Sequence, residues 1–447
     1  MLTETQVPNG VAQQAVRTGN GRFFTNETYH FETLRMTGYI PSGGADTGEI
    51  LETVKLITEG DSQSWYEAWS NTVDRVTALA ESTRDPMSKS AAYMRAHNYQ
   101  RTGEFLLPPD DEKRKPSWKK TIALFDKGLE AGAIRCERIT VPYEGASLRA
   151  LYLPGGAGSE HKPLIVVVGG FDSILEELYF VIGVPAVQRG YSVLLYEGPG
   201  QGDALRAHGL TFIPEWERPN GAVLDEFLRT HAKPSTIVLV GMSMGGYFAP
   251  RAAAFDSRVD GVVAFDVCYD FGAMAKPILS AAANPLAANN PDVIWAYHNS
   301  LWTLGTKGLD DTLKAVNAFT LAPIADRIRQ DVLILAGADD HFVPQNQAGD
   351  FEKHSSTPGP SRRGPSNGAR EDHSTARRAI SRWCTPPCSI GCSRNSDVRN
   401  QGRRARWSAA YGPMWAVAIF IPRSNGRRSL ASESTVHPSE SRAGANR

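Results

Sequence analysis

Cysteine is scarce in this chain, with five residues in 447. Cys136 and Cys268 stand alone in its body, too few for a disulfide framework, and read as buried thiols in a reducing, cytoplasmic setting. Cys384, Cys388 and Cys392 have no histidine at zinc-ligand spacing, so no metal site is read there. Long apolar runs are also missing. The longest late one, "MWAVAIFI" (414–421), is too short to cross a bilayer, and the opening "MLTETQVPNG" lacks the basic flank and apolar stretch of a secretory signal. No membrane association is expected. Net charge is absent too, since 48 basic and 48 acidic residues cancel. The balance hides a split: residues 354–447 hold 16 Arg, 5 acidic residues and no Lys, leaving 32 basic and 43 acidic residues before them. The tail's arginines are scattered and follow no helix face or groove-reading motif, so no nucleic-acid partner is read.

What is present is enough for one large α/β domain with an appendage. Residues 1–30 read as a flexible arm and 31–133 as a helical region. "GEILETVKLI", "SWYEAWSNTVDRVTALAEST" and "MSKSAAYMRAHNYQRTGEFL" repeat apolar residues at three- and four-residue steps. Trp65 and Trp69, four apart, share a helix face and read as core. From about residue 134 the pattern changes to short apolar runs: "CERITVPY", "SLRALYLP", "PLIVVVGG", "YSVLLYEG", "STIVLVGMS", "VDGVVAFD" and "DVLILAGAD". Helical patterns lie between most of them, which predicts a mainly parallel, doubly wound sheet over 134–353. A helical lid is expected at about 271–325.

The run "VLVGMSMGGYFAPRAA" places Gly241-Met242-Ser243-Met244-Gly245 directly between a strand and a helix. A serine in a G-x-S-x-G turn occupies a strained elbow that tolerates no side chains beside it, and Ser243 is the candidate nucleophile. The amide of Met244 and that of Phe171, after "VVVGG", are the candidate oxyanion donors. Asp172, Glu176 and Glu177 follow, the glutamates read as helix-capping charges. "LYEGPGQGDALR" lacks both the lysine of a P-loop and the G-x-G-x-x-G order, so it reads as a tight structural turn and no cofactor is expected. The acid that would orient a histidine is Asp340 in "LILAGADDHFVP", with Asp339 and Asp270 as runners-up. Trp295 and Trp302 are candidates for an aromatic lid over substrate or for packing of that lid.

Several stretches, "FFTNETYHFETLRMTGY", "GGADTGEILET", "EGDSQSWYEAW", "YMRAHNYQRTGEFLLP", "YEGPGQG" and "GMSMGGYFAPRAAAF", resemble fungal α/β-hydrolases encoded beside polyketide synthases. These include the yellowish-green pigment type and the fusarin-cluster hydrolases, and are similar to pseudooxynicotine hydrolase. The resemblance covers about residues 20–353. It implies a Ser-His-Asp hydrolase acting on carbon–carbon (β-dicarbonyl) or ester-type bonds of a small polyketide-derived substrate, with Ser243 as nucleophile and Asp340 as acid. It also places the histidine about thirty residues after the acid, in a segment resembling "HCQ-x-G". The sequence there is "EDHSTARRAISRWCTPPCSIGC", where His373 lies near the position in the wrong surroundings. His341, next to Asp340 in sequence, is the other candidate base.

The lysine-free, Arg/Ser/Pro-rich tail reads as a GC-rich gene translated out of frame, and is expected to be disordered. Shifting the frame by one base from Lys353 permits "ALQHARSV", and across 373–392 it permits "QHCQTGDLALVHAAVFDWL". The Trp383–Cys384 junction then allows only Val. The shifted reading restores a histidine and an apolar helix, so the chain as written is expected to be poorly soluble and nearly inactive. Two further functions stay open: a cyclase or acyl transferase on the same serine, and a non-catalytic polyketide-binding protein. A homodimer also stays open.

Overall fold

The computed structural model describes residues 22–355, apart from residues 288, 338, 339, 341 and 345. Five helices come first: α1 (Glu27–Gly38), α2 (Thr47–Val54), α3 (Ser62–Ser82), α4 (Pro86–Glu104) and α5 (Arg114–Ala131). Asn26, Asp46, Asp61 and Asp85 each accept a backbone N–H at the start of α1 to α4, which fixes where those helices begin. Trp65 and Trp69 are fully buried, as their spacing predicts. Trp65 Nε1 donates to Thr102 O (2.7 Å), and the Trp69 ring stacks on Tyr99 with centroids 5.4 Å apart, locking α3 onto α4.

Seven strands follow at the seven apolar runs: β1 (Glu137–Tyr143), β2 (Ala146–Leu153), β3 (Leu164–Val168), β4 (Val193–Tyr196), β5 (Ile237–Met242), β6 (Gly261–Phe265) and β7 (Asp331–Leu335). They form one sheet in the order β1-β2-β4-β3-β5-β6-β7. β2 runs antiparallel to β1 and β4, and all other neighbours are parallel. Alternate residues serve two cores. Ile165, Val167, Leu195 and Val240 share a cluster with Trp65, Trp69 and Tyr99, so the helical region caps one face. Val166, Val168, Leu194 and Leu239 face the other cluster. That is why these strands read as continuous Val/Ile/Leu runs.

Between the strands lie α6 (Leu175–Leu178), α7 (Val184–Gln188), α8 (Gly202–Arg206), α9 (Glu217–Thr230) and α10 (Gly245–Phe255). Three helices, α11 (Phe271–Ala281), α12 (Pro291–Leu304) and α13 (Leu309–Ala315), fill the long interval between β6 and β7. α14 (Asn346–His354) comes last. β3 and β4 are buried throughout, whereas Val332, Leu333 and Ile334 of the edge strand β7 are half-buried. Among the described residues no helix is long and apolar enough to cross a membrane. Met242, Phe265 and Leu335 fall in one cross-strand row, so three central strands end at the same level. Ligands of open α/β sheets bind beyond these carboxyl ends.

Trp65→Ala should destabilise the chain by about 3–5 kcal/mol, the usual range for a fully buried Trp emptied to a methyl. Urea unfolding followed by circular dichroism measures it. A loss under 1 kcal/mol would show that the helical layer is not coupled to the sheet.

Candidate active site

β5 delivers the chain to Ser243, whose φ of 55° lies in the left-handed region that few non-glycine residues enter. The turn is pinned by Ser243 N donating to Phe265 O (2.6 Å) and Gly246 N to Ser243 O (2.7 Å). A Cβ at Gly241 would strike the Gly245 carbonyl, and one at Gly246 the Asp266 carbonyl. The glycine pattern therefore exists because neighbouring backbone occupies the side-chain space. Ser243 itself is exposed at the tip of the elbow.

The loop after β3 comes up against it. A Cβ at Gly170 would lie 2.8 Å from Ser243 Cβ and 3.0 Å from the Met244 amide nitrogen. Neither the Phe171 nor the Met244 amide is taken up by another hydrogen bond among the described residues. Gln201 fastens this loop from the turn after β4: its Nε2 donates to Gly169 O (2.9 Å) and Gly170 O (2.8 Å), and its Oε1 accepts from Gly198 N (3.0 Å). The glycine-rich "GPGQG" is a structural turn, with one side chain that reaches the site.

On the other side Asp172 is held by the N-terminal helices. Its carboxylate accepts from Arg35 of α1 (2.7 Å) and Arg101 of α4 (2.5 Å). Burial would raise the Asp172 pKa, but the two guanidiniums hold it well below the usual carboxylate range. Glu32, Glu177 and Tyr39 complete the cluster. The glutamates read as caps are thus buried ion-pair partners. Glu177 joins Arg35, and Glu176 faces Arg149, which Glu197 also binds. Arginines 142 and 27 residues away supply the charge that solvent would have met at a helix end.

Beyond β7, Asp340 Oδ1 accepts from the amides of Phe342 (2.7 Å) and Val343 (2.8 Å), which fixes its orientation. Its carboxyl also hydrogen-bonds Asp266, the residue after β6, whose Oδ1 accepts from Gly337 N (3.2 Å). Burial, then the Asp340 charge, push the Asp266 carboxyl up to about 7. Asp270 caps α11 by accepting from Ala273 N (2.9 Å), and Asp339 lies outside the described residues. His341 and His373 also lie outside them. Among the described residues no histidine hydrogen-bonds Ser243 or Asp340. His97 is buried between Phe125 and Phe180, and His354 stacks on Tyr269.

A cleft of about 440 Å³, counted with the solvent at its mouth, opens beside Phe171. Trp295 and Trp302 of α12 both line it, and both also pack α12 onto the helical layer. Trp295 stacks on Phe105 (4.7 Å), donates Nε1 to Phe105 O (3.1 Å) and meets the Phe171 ring edge-on. Trp302 lies between the guanidiniums of Arg114 (4.9 Å) and Arg206 (5.1 Å).

Residues 154–366 match the alpha/beta hydrolase family. The chain is 34% identical over 375 residues to hydrolase acrC of Aspergillus aculeatus, covering 74% of this chain and 87% of that one. It is 30% identical over 366 residues to 20-hydroxy-prefusarin hydrolase FUS2 of Gibberella moniliformis, covering 73% and 86%. The chain belongs to the alpha/beta hydrolase family. Its relatives are the fungal hydrolases that the motifs of residues 20–353 resemble. The crystal structure of 2,6-dihydroxy-pseudo-oxynicotine hydrolase shares the fold, with a TM-score of 0.58 at 19% identity over 71% of this chain and 85% of that one. Among the residues that went unread in the sequence are Gln201 and Asp266. The first sat in a turn classed by its glycines. The second closed "VDGVVAFD", where a lone Asp one step past an all-apolar strand was the available signal.

Asp266 gives the site a pH signature. Its carboxyl keeps a proton in the folded chain up to about pH 7, whereas its ordinary value is 3.8. The stabilisation from that proton is full below pH 4 and fades as pH rises through 7. Urea midpoints of the native chain should therefore fall relative to those of Asp266→Asn between pH 4.5 and 7.5. Parallel profiles would mean that the folded chain does not hold a proton on Asp266.

Proposed function

We propose that this alpha/beta hydrolase is built as a serine hydrolase of fungal secondary metabolism, cleaving a carbon–carbon bond of a β-dicarbonyl or an ester-type bond in a polyketide-derived substrate. The observation that carries the reading is Ser243 on a left-handed elbow, against Gly170 and beside the uncommitted amides of Phe171 and Met244. A hydroxyl so placed reaches a carbonyl carbon while the two amides face the oxygen that becomes negative. The naming of fungal relatives as hydrolases, one of them for 20-hydroxy-prefusarin, supports the substrate class.

In the mechanism Ser243 Oγ attacks the carbonyl and gives its proton to an imidazole. Asp340, with Asp266 behind it, orients that ring and stabilises its charged form. Collapse of the tetrahedral adduct breaks the bond to the leaving group, an alkoxide or a stabilised enolate, which takes the proton from the imidazolium. Water, deprotonated by the same imidazole, then attacks the acyl-serine. The acid leaves and the Ser243 hydroxyl is restored.

Among the described residues no histidine supplies the imidazole, His341 and His373 lying outside them. We assign it to the histidine that the one-base shift restores, which makes the printed chain a hydrolase without its base. Loss of a triad base lowers turnover by on the order of 10⁶ and leaves binding in place. The lack of a described histidine at Ser243 favours one second reading of the printed chain, a protein that binds polyketides without cleaving them.

Expression of the printed chain beside a version reframed after Lys353 tests both readings. The reframed protein should take a fluorophosphonate on Ser243 and hydrolyse aryl esters or β-diketones, while the printed chain stays unlabelled and slower by several orders of magnitude. The printed chain should also bind more of a hydrophobic dye, because the half-buried β7 lacks the restored helix. Equal activity in the two proteins overturns the frame assignment. Labelling with no hydrolysis in the reframed protein points to acyl transfer or cyclisation instead.

A further inference from the structure

The Phe171 N–H belongs to the peptide that joins Gly170 to Phe171, and both positions before that N–H demand glycine. A Cβ at Gly169 would fall 2.2 Å from Ser173 Cβ, and one at Gly170 would fall 2.8 Å from Ser243 Cβ and 2.9 Å from Met242 O. Close approach to the elbow therefore puts the residue with the least torsional preference directly before the donor. A trans peptide is planar and turns as one unit about its two flanking Cα atoms, carrying C=O and N–H in opposite directions. With glycine on one side, sterics offer little resistance to that turn. The neighbouring anchors do not supply it. Arg35 and Arg101 hold the Asp172 carboxylate, and the Phe171 ring meets Phe212 (5.9 Å), Phe271 (6.0 Å) and Trp295 (5.9 Å). Those contacts fix side chains and leave the peptide plane free to rotate.

Gln201 bears on the plane itself. Its Nε2 gives one N–H to Gly169 O (2.9 Å) and the other to Gly170 O (2.8 Å). Among the described residues Gly170 O has one further donor, Ser173 N at 3.5 Å, a length at which a hydrogen bond is weak. The Gln201 amide is itself fixed, because Oε1 accepts from Gly198 N (3.0 Å). Turned over, it would set its oxygen against two carbonyls and its N–H groups against a donor. The Gln201 backbone N donates back to Gly198 O (3.0 Å), and the side chain is buried. A hydrogen bond donated to a carbonyl also polarises its peptide, which strengthens the N–H at the other end.

Resting on the serine-hydrolase reading above, we propose that Gln201 is a positioning residue for the reaction, locking the Gly170–Phe171 peptide with its N–H turned toward the oxyanion and polarising that N–H. Gln201 touches no reacting atom. Oxyanion donors act on the transition state more than on bound substrate, so loosening one lowers kcat and spares KM.

Gly170–Phe171 is the one Gly-Phe step in the sequence. Glycine labelled with carbon-13 at its carbonyl, together with nitrogen-15 phenylalanine, therefore gives one correlated NMR signal from this peptide in the full-length chain. In Gln201→Met, which keeps the side-chain length without its donors, that signal should move upfield in the carbon dimension or split in two. In the version reframed after Lys353, the same substitution should lower kcat for 4-nitrophenyl butyrate at least tenfold, within the roughly 10²–10³ that loss of a whole donor costs. KM should stay within about twofold. Fluorophosphonate on Ser243 sets a phosphoryl oxygen where the oxyanion forms. It should move the Phe171 amide proton downfield in the native reframed chain and far less in the variant. Gln201→Glu, which offers at most one donor to the two carbonyls, should fall between native and Gln201→Met, and it decides alone should Gln201→Met not fold. An unmoved signal in the variants, or a loss confined to KM or stability at unchanged kcat, overturns the proposal. No labelling of the native reframed chain sinks the hydrolase reading, while the NMR signal of the printed chain still shows whether Gln201 sets the peptide. Labelling with unaltered kcat in the variants sinks only this proposal.

Discussion

The geometry of this site hangs on a buried cluster of charge. Arg35 and Arg101 grip Asp172, while Glu32 and Glu177 neutralise the same two guanidiniums. A guanidinium withdrawn from water is tolerable only where several acceptors surround it. Replacing a whole buried network with apolar residues is often harmless, but removing one partner strands a charge. The cluster is therefore better understood as a constraint on position than as a source of stability. Asp172 sits one residue after Phe171 and two after Gly170, so whatever fixes it fixes the amide that would meet an oxyanion. Electrostatic help to a reaction depends on donors already in place when charge develops. Here α1 and α4 provide that placement from outside the sheet.

This also explains why a helical region precedes the sheet and shares a core with it. Trp65, Trp69 and Tyr99 pack in one cluster with Val167 and Val240. The tryptophans bury the large area, the charges set the register, and Gln201 holds the same loop from below through the Gly169 and Gly170 carbonyls. Loop and elbow are thus clamped from three elements distant in sequence.

The same contrast divides what could be read in the sequence from what could not. All seven strands and the elbow were legible because their causes are local. A strand buried on both faces must be apolar throughout, and a serine on a tight turn must have glycines beside it. The lid interval was legible from its length. Glu176 and Glu177 read as helix-capping charges because their partners come from other elements, Arg35 lying 142 residues before Glu177. A carboxylate at a helix start looks the same whether it faces water or a guanidinium. Asp266 went unread for a related reason: its character comes from Asp340, which only the alignment of β6 with β7 brings near. The tryptophans were left between lining and packing, and do both: each lines the cleft, while Trp295 stacks on Phe105 and Trp302 meets the Arg114 and Arg206 guanidiniums.

The order of events along the chain then separates binding from chemistry. Every group assigned to the oxyanion donors, the acid pair and the cleft lies before residue 344. The proposed mechanism asks the chain after α14 for one further group, a proton acceptor for Ser243. In that proposal a chain without the acceptor would lack the step in which the serine proton goes somewhere. On the reading proposed above, a frame break after Lys353 would remove turnover and not the groups named here. On that reading an intact pocket and an intact elbow are necessary for hydrolysis without being sufficient, because the serine still needs a base.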